Sequence, residues 1–329
     1  MAGTNAPRAF TVAVLVLIAV ILLGFIVIAY SSFLSGRAPA SGPSGTVPPA
    51  PASPASPART YDDSLTVYFD QTFDFDDIRD IYLSAGVTEM TVYPSEDGKL
   101  RVVQTGRNIS ERYLITVTKS GSGFDIVPAL ENQGGMQFGS TPWDMKNYVD
   151  VYLPATFTGK LKARTSAGSM CIEGAYTVDD LELRVSAGDL VCNGILTAKE
   201  ADLHTSAGSL EVKTLNAETF EADTSAGSIE IGSLSGSGKL SSSAGDIDVD
   251  SLTIDDSLTL KTSAGSISVG IAGDPDIELN GKLSAGSIRT YFSSGSDIVK
   301  GRISVTTGDG PYKKIEANTS AGDIHIRKA

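Results

Sequence analysis

The chain has 329 residues, with 26 Lys and Arg against 39 Asp and Glu, a formal net charge of −13 at pH 7. That balance argues against a nucleic-acid binder, which needs a basic face to neutralise phosphates. Two Cys and two His argue against a disulfide scaffold, a Cys/His zinc site and His-based catalysis, so the composition leans towards a non-enzyme with no cofactor.

Residues 1–8 read as a short cytoplasmic end. An uncharged apolar run then extends from Ala9 to Tyr30 and weakly on to Leu34. As a helix it would span about 33 Å at about 1.5 Å per residue, which matches a bilayer core. Residues 9–34 are therefore expected to be a single-pass transmembrane anchor, and the membrane a partner through Ala9 to Leu34. The alternatives are a cleaved export signal, whose apolar region would be shorter, roughly 7–15 residues, and a buried helix of a soluble domain. Arg8 and Arg37 flank the run on opposite sides, so flanking charge barely sets orientation. The Gly/Ser/Thr-rich β repeats that follow favour an extracytoplasmic C-terminal part.

Residues 35–60 are rich in Pro, Ala and Ser and hold seven of the fourteen prolines. Such a stretch buries no core and favours extended polyproline II. Twenty-five residues at about 3.1 Å each reach roughly 75 Å, a spacer that holds a folded part off a membrane.

An internal repeat dominates the rest. Ser-Ala-Gly begins at Ser166, Ser186, Ser206, Ser225, Ser243, Ser263, Ser284 and Ser320. The spacings are 20, 20, 19, 18, 20, 21 and then 36, with Thr306-Thr307-Gly308 inside the long gap as a degenerate copy. A period near 20 signals a solenoid. The fourth position after each Ser is apolar, from Met170 and Leu190 to Ile324; the sixth is mostly apolar; the fifth is mostly polar. Alternation also precedes the turn, with Leu183, Leu203 and Leu240 facing in and Arg184, His204 and Lys261 facing out. This is period-two patterning with one buried face. Two short strands per repeat are expected, stacked in parallel about 4.8 Å apart. Residues 158–329 thus predict an all-β, parallel β-solenoid with about 20-residue rungs. Gly168, Gly188, Gly208, Gly227, Gly245, Gly265, Gly286 and Gly322 are the expected corners, where a missing Cβ permits a left-handed or crowded turn.

Residues 61–157 are less regular and hold many aromatics, including Phe73, Phe75, Tyr93, Phe124 and Trp143. They read as an irregular, aromatic-filled start or cap of the solenoid; a separate β-sandwich is the alternative. Arg327 and Lys328 at the other end suggest a polar cap against end-to-end stacking.

Thr165-Ser166-Ala167-Gly168-Ser169, Thr224-Ser225-Ala226-Gly227-Ser228-Ile229-Glu230-Ile231 and the Gly-Asp-Ile forms at Gly245 and Gly322 carry a resemblance. Residues 160–329 are similar to the bacterial "putative adhesin" family of β-strand repeats, a domain of unknown function. The resemblance implies a β-solenoid, often behind an N-terminal membrane anchor, in cell-envelope proteins. Some members accompany envelope-stress response systems. It brings no catalytic residues with it. The function implied is a non-catalytic adhesin-like or envelope scaffold module that binds an unidentified envelope polymer or protein. The alternatives are an accessory of an envelope-stress response and, behind it, a carbohydrate-active enzyme.

Local constellations are sparse. Asp246, Asp248 and Asp250 are expected on one outward face, with Glu230 and Glu211 stacked beside Asp248. Such carboxylates form a weak cation-site candidate; a solvated acidic face is the plainer reading, because calcium wants six to eight oxygens. Cys171 falls in an outward column and Cys192 in an inward one, so no disulfide is expected. His204 and His325 are outward and far apart, and no His is expected beside a Ser, which leaves a nucleophilic triad without its base.

Overall fold

An apolar face of two or three residues per short strand can be buried only if copies stack, and in the computed structural model they do. It describes residues 64–129, 144–291 and 300–329, all within one compact unit. The expected anchor at Ala9–Leu34 and spacer at 35–60 lie outside the described residues. Among the described residues no helix is long and apolar enough to cross a membrane.

In chain order the strands are β1 (Thr66–Phe73), β2 (Asp80–Val87), β3 (Glu89–Ser95), β4 (Leu100–Arg107), β5 (Ile115–Ser120), β6 (Gly123–Pro128), β7 (Lys146–Pro154), β8 (Lys160–Ala167), β9 (Met170–Ile172) and β10 (Ala175–Ala187). Then come β11 (Leu190–Ala207), β12 (Leu210–Ala226), β13 (Ile229–Ala244), β14 (Ile247–Ala264) and β15 (Ile267–Ile271). The last are β16 (Ile277–Ala285), β17 (Ile288–Thr290), β18 (Arg302–Thr307), β19 (Lys313–Ala321) and β20 (Ile324–Lys328). From β8 to β14 each rung pairs in parallel with the next, and the Ser-Ala-Gly corners align: Ala187 on Ala207, Ala207 on Ala226, Ala226 on Ala244 and Ala244 on Ala264. The core is one continuous apolar cluster along the stack.

The rung has one more inward stretch than the two-strand expectation. Between the corners a third column runs Tyr176, Leu196, Leu215, Leu234, Leu252 and Ile271, each in register with the next and each buried. Register breaks at Cys192/Ile195, Asn216/Thr219 and Gly236/Gly238 absorb the uneven rung lengths. Two straight strands with one tight corner do not return the chain to its start; the third stretch closes the coil.

At the main corner the expected glycines are all present, and two constraints hold them. Their φ values lie between +103° and +156°, a region L-residues rarely adopt. In addition, a Cβ on Gly208, Gly227, Gly245 or Gly265 would sit 2.0–2.1 Å from the carbonyl oxygen of the corner glycine one rung earlier. That close approach lets each glycine N–H donate to the next rung's Ala carbonyl, as Gly208 does to Ala226 at 2.9 Å. The glycine carbonyl in turn accepts the buried hydroxyl of the following rung's Thr or Ser: Thr205 to Gly188, Thr224 to Gly208, Ser242 to Gly227, Thr262 to Gly245 and Thr319 to Gly265, at 2.9–3.1 Å. The corner is thus a ladder in which neither the amide nor the hydroxyl is left unpaired, as buried polar groups require.

The rungs do not stack in sequence order at either end. At the start, β2 and β3 pair with β8 and β9 on one side and with β6 and β7 on the other. β6 and β7 therefore lie outside β2 and β3. Antiparallel strands finish this end: β5 on β6, and β4 on β7 with β1 on β4. Phe73, Phe75, Phe124 and Phe157 pack there with centroids 5.5–6.3 Å apart. Gln104, fully buried, ties the pieces together. Its amide donates to Tyr113 O and Asn147 Oδ1 at 2.8 Å, and its oxygen accepts Ile115 N at 2.9 Å.

The far end repeats the inversion. β19 and β20 pair with β14 and β15 on one side and with β16 and β17 on the other. The final Ser-Ala-Gly copy thus sits between the two that precede it. β18, read from the sequence as a degenerate rung, runs antiparallel to β16 and is the last strand of the stack among the described residues. Consequently Arg327 and Lys328 lie on an interior rung and do not cap the solenoid.

Candidate functional site

Rigid corners leave the outward strand positions as the places where this chain can meet a partner. On the face that follows the main corner, parallel register sets Glu211 beside Glu230 and Glu230 beside Asp248, all exposed. Ser268, His325 and Arg289 continue the column. A shallow groove of 370 Å³ runs here, lined by Asn193, Glu211, Lys213, Glu230, Asp248 and Asp250 among others.

The structure separates the five expected cation ligands. Asp246 is not on this face. It sits at the corner, where its Oδ1 accepts the Ser266 amide at 2.7 Å. Asp189 and Asp323 do the same for Ser209 and Ser287, both at 2.8 Å. Asp250 is neutralised by Arg327 at 2.9 Å, with Asp248 at 3.9 Å from the same guanidinium. Among the described residues no group of three or more His, Cys, Asp or Glu side chains is arranged to hold a metal ion. Side chains on one strand face project in parallel and do not converge, so a column supplies too few oxygens to one point.

On the face that precedes the corner, a second ladder crosses the rungs. Glu182, nearly buried, accepts from Lys162 at 2.9 Å, from Arg164 and from Arg184 at 2.7 Å. Burial pushes its carboxyl up, but the three charged donors outweigh that and hold it down at about 2. Arg184 continues to Asp202. One rung later His204 is bracketed: its Nδ1 lies 2.6 Å from Asp223 Oδ2 and its Nε2 3.1 Å from Ser206 Oγ.

That trio corrects the expectation that no His stands beside a Ser. The signal was present in the sequence. His204 and Ser206 are two apart on one strand, hence on one face, and Asp223 follows His204 by one repeat. The backbone amides from Gly208 to Leu210, just after Ser206, are already engaged. An oxyanion needs free N–H donors near the nucleophile, whereas the Gly208, Ser209 and Leu210 amides donate to Ala226 O, Asp189 Oδ1 and Ser228 O. The ladder is a hydrogen-bonded polar face.

The cysteines follow the alternation. Cys192 is buried, and burial pushes its thiol up; Cys171 lies outward near Glu173 and Asn193; neither forms a disulfide.

A parallel stack with inverted terminal rungs and polar outward columns defines the class, a β-solenoid whose repeated face is its presented surface. The family described as Toastrack DUF4097 matches residues 78–327, and the chain belongs to it. No curated protein matches the chain. Among solved structures, it is similar to a "putative adhesin" of Bacteroides fragilis, with 14% identity, 82% of this chain and 98% of that chain covered, and a TM-score of 0.44. It is similar also to a "putative lipid binding protein" of Parabacteroides distasonis, with 13% identity, 78% and 96% covered, and a TM-score of 0.44. A "putative cell adhesion protein" of Clostridium sporogenes has 13% identity, 79% and 99% covered, and a TM-score of 0.27.

Proposed function

We propose that this chain is a non-catalytic, adhesin-like or scaffold module of the cell envelope, held outside the membrane by an anchor at Ala9–Leu34 and a spacer at 35–60. One observation carries the reading. A continuous parallel ladder from β8 to β14 presents outward side chains in fixed register. The corner amides and hydroxyls that would otherwise solvate or flex are bonded to the neighbouring rung. A surface of this kind is preorganised, which reduces the ordering cost of binding an extended partner. The bonded amides around Ser206 favour binding over turnover.

A tag after Ala329, with protease added to intact cells, tests the placement. The expected outcome is loss of the tag while a cytoplasmic marker survives. A tag that stays protected until the membrane is opened, with no cell wall in the way, would remove the extracytoplasmic reading and leave a tethered intracellular scaffold.

A further inference from the structure

Near the far end of the stack, the pre-corner face changes character. Successive outward positions of one column are Lys261, Asn318, Lys282 and Arg302, set side by side through β14, β19, β16 and β18. A groove of 480 Å³ opens beside them, within the roughly 300–1,000 Å³ range of small-ligand sites. Lys282, Arg302 and Lys314 line it, with Glu316 as its one carboxylate. That carboxylate accepts the Asn318 amide at 2.6 Å. Unlike Lys162, Arg164 and Arg184 on the earlier rungs, Lys261, Lys282, Arg302 and Lys314 have no carboxylate within ion-pair distance among the described residues. All four are exposed.

Lys314 has Glu278 beside it in register, but Lys261, Lys282 and Arg302 lie on neighbouring rungs with only Asn318 in their column; they repel one another, and an anionic ligand relieves that repulsion. The inverted rung order creates the cluster, because it carries Asn318 between Lys261 and Lys282 and sets Arg302 directly beside Lys282. Between the cations lie groups that bond neutral hydroxyls: Ser257, Thr259, Asn280 and Asn318. The lining holds no aromatic ring on which a base could stack, a contact that single-stranded nucleic acids rely on.

We infer that this groove, with the adjoining Lys261, binds an acidic polysaccharide, its carboxylates on Lys282, Arg302, Lys314 and Lys261 and its hydroxyls on the intervening amides and hydroxyls. The inference deepens the binding-module reading by naming a ligand class and a place, and it rests on that reading only for where the polymer is met.

The test uses the purified full chain in detergent, titrated with polygalacturonate fragments, with neutral dextran fragments of equal length and with inorganic polyphosphate. Saturable binding of polygalacturonate is expected, none of dextran, and polyphosphate at least tenfold weaker. Lys282→Glu with Arg302→Glu should weaken polygalacturonate at least tenfold, while Lys146→Glu at the opposite end changes it less than twofold. Affinity should also fall as salt rises from 50 to 300 mM. A thermal melt of each variant checks folding; if the double variant melts early, Lys282→Gln with Arg302→Gln takes its place. Absence of saturable binding, or binding indifferent to the groove variants, overturns the site. Polyphosphate binding equal to polygalacturonate overturns the glycan assignment, since charge alone would then be read. The titration is independent of cellular location, so its failure and that of the protease experiment are separable.

Discussion

At the residue scale, the corner glycines carry two constraints that no other side chain meets. Gly227 combines a φ of +146° with a position where a Cβ would come within 2.1 Å of the Gly208 carbonyl oxygen. Gly227→Ala is expected to cost about 3 kcal/mol or more, since positive-φ strain of 1–3 kcal/mol adds to a backbone clash. Chemical denaturation measures it, and a loss under 1 kcal/mol would mean the corner can relax. Tyr176 makes the opposite case. It is 1% exposed, and its hydroxyl finds no hydrogen-bond partner among the described residues. An unsatisfied buried hydroxyl costs about 1–3 kcal/mol, so Tyr176→Phe should raise stability by about 1 kcal/mol. The same denaturation curve checks the sign.

At the element scale, the face that precedes the corner is held by a carboxylate shared between rungs. Glu182 joins β8 to β10 through Lys162 and Arg164 and meets Arg184 on its own strand. Its ordinary value of 4.5 falls to about 2 in the fold. A depressed carboxylate contributes stability that is fully present above about 4.5 and lost as pH falls towards 2. The side chain is 10% exposed, so the contribution is at most about 3 kcal/mol. Glu182→Gln should therefore be destabilised at pH 7 by about 2–3 kcal/mol, because Lys162 and Arg164 lose the carboxylate they share and Arg184 keeps only Asp202. The wild-type advantage should shrink as pH is lowered from 4.5 to 2.5. Denaturant midpoints for both chains across that range test the pair, and a constant difference would assign the effect to packing.

At the scale of the whole molecule, rung order departs from chain order at both ends, and the departure has a mechanical consequence. β19 and β20 are a wedge between β14–β15 and β16–β17. Removing residues 313–329 therefore opens the stack internally. Ile315, Ile324 and Ile326 are fully buried there and together carry roughly 5–9 kcal/mol. Deletion is expected to remove hydrogen-exchange protection from residues 288–290 and from the β16 amides that face β19, while those that face β18 keep theirs. Protection retained at the β19-facing amides of β16 would show that β16 re-docks directly on β14.

The repeat itself was legible because its corner is local. Ser-Ala-Gly demands the same backbone in every copy, and alternation on either side assigns inward and outward faces without knowledge of neighbours. The same logic placed Cys171 outward, Cys192 inward, and Glu211, Glu230 and Asp248 in one column. Other features were hidden for definable reasons. The third inward column lies ten residues after Ser166 but nine after Ser206, so aligning copies on the Ser blurs it. The Asp223–His204–Ser206 contact needed two neighbouring rungs to be read together. Asp246 looked like a face residue by parity, yet at the turn parity fails, and its carboxylate bonds a backbone amide instead.

Local chemistry in the sequence thus determined an all-β, parallel, roughly 20-residue rung with glycine at its main corner. Only the tertiary structure decided the order in which rungs meet. Parallel rungs with nearly identical inward columns can pair in several sequences at similar cost, and that choice rests on long-range contacts: the buried Gln104 network and the aromatic cap at one end, and the antiparallel closure of β18 at the other. The same choice gathers Lys261, Lys282 and Arg302, scattered over 42 residues of chain, into one column.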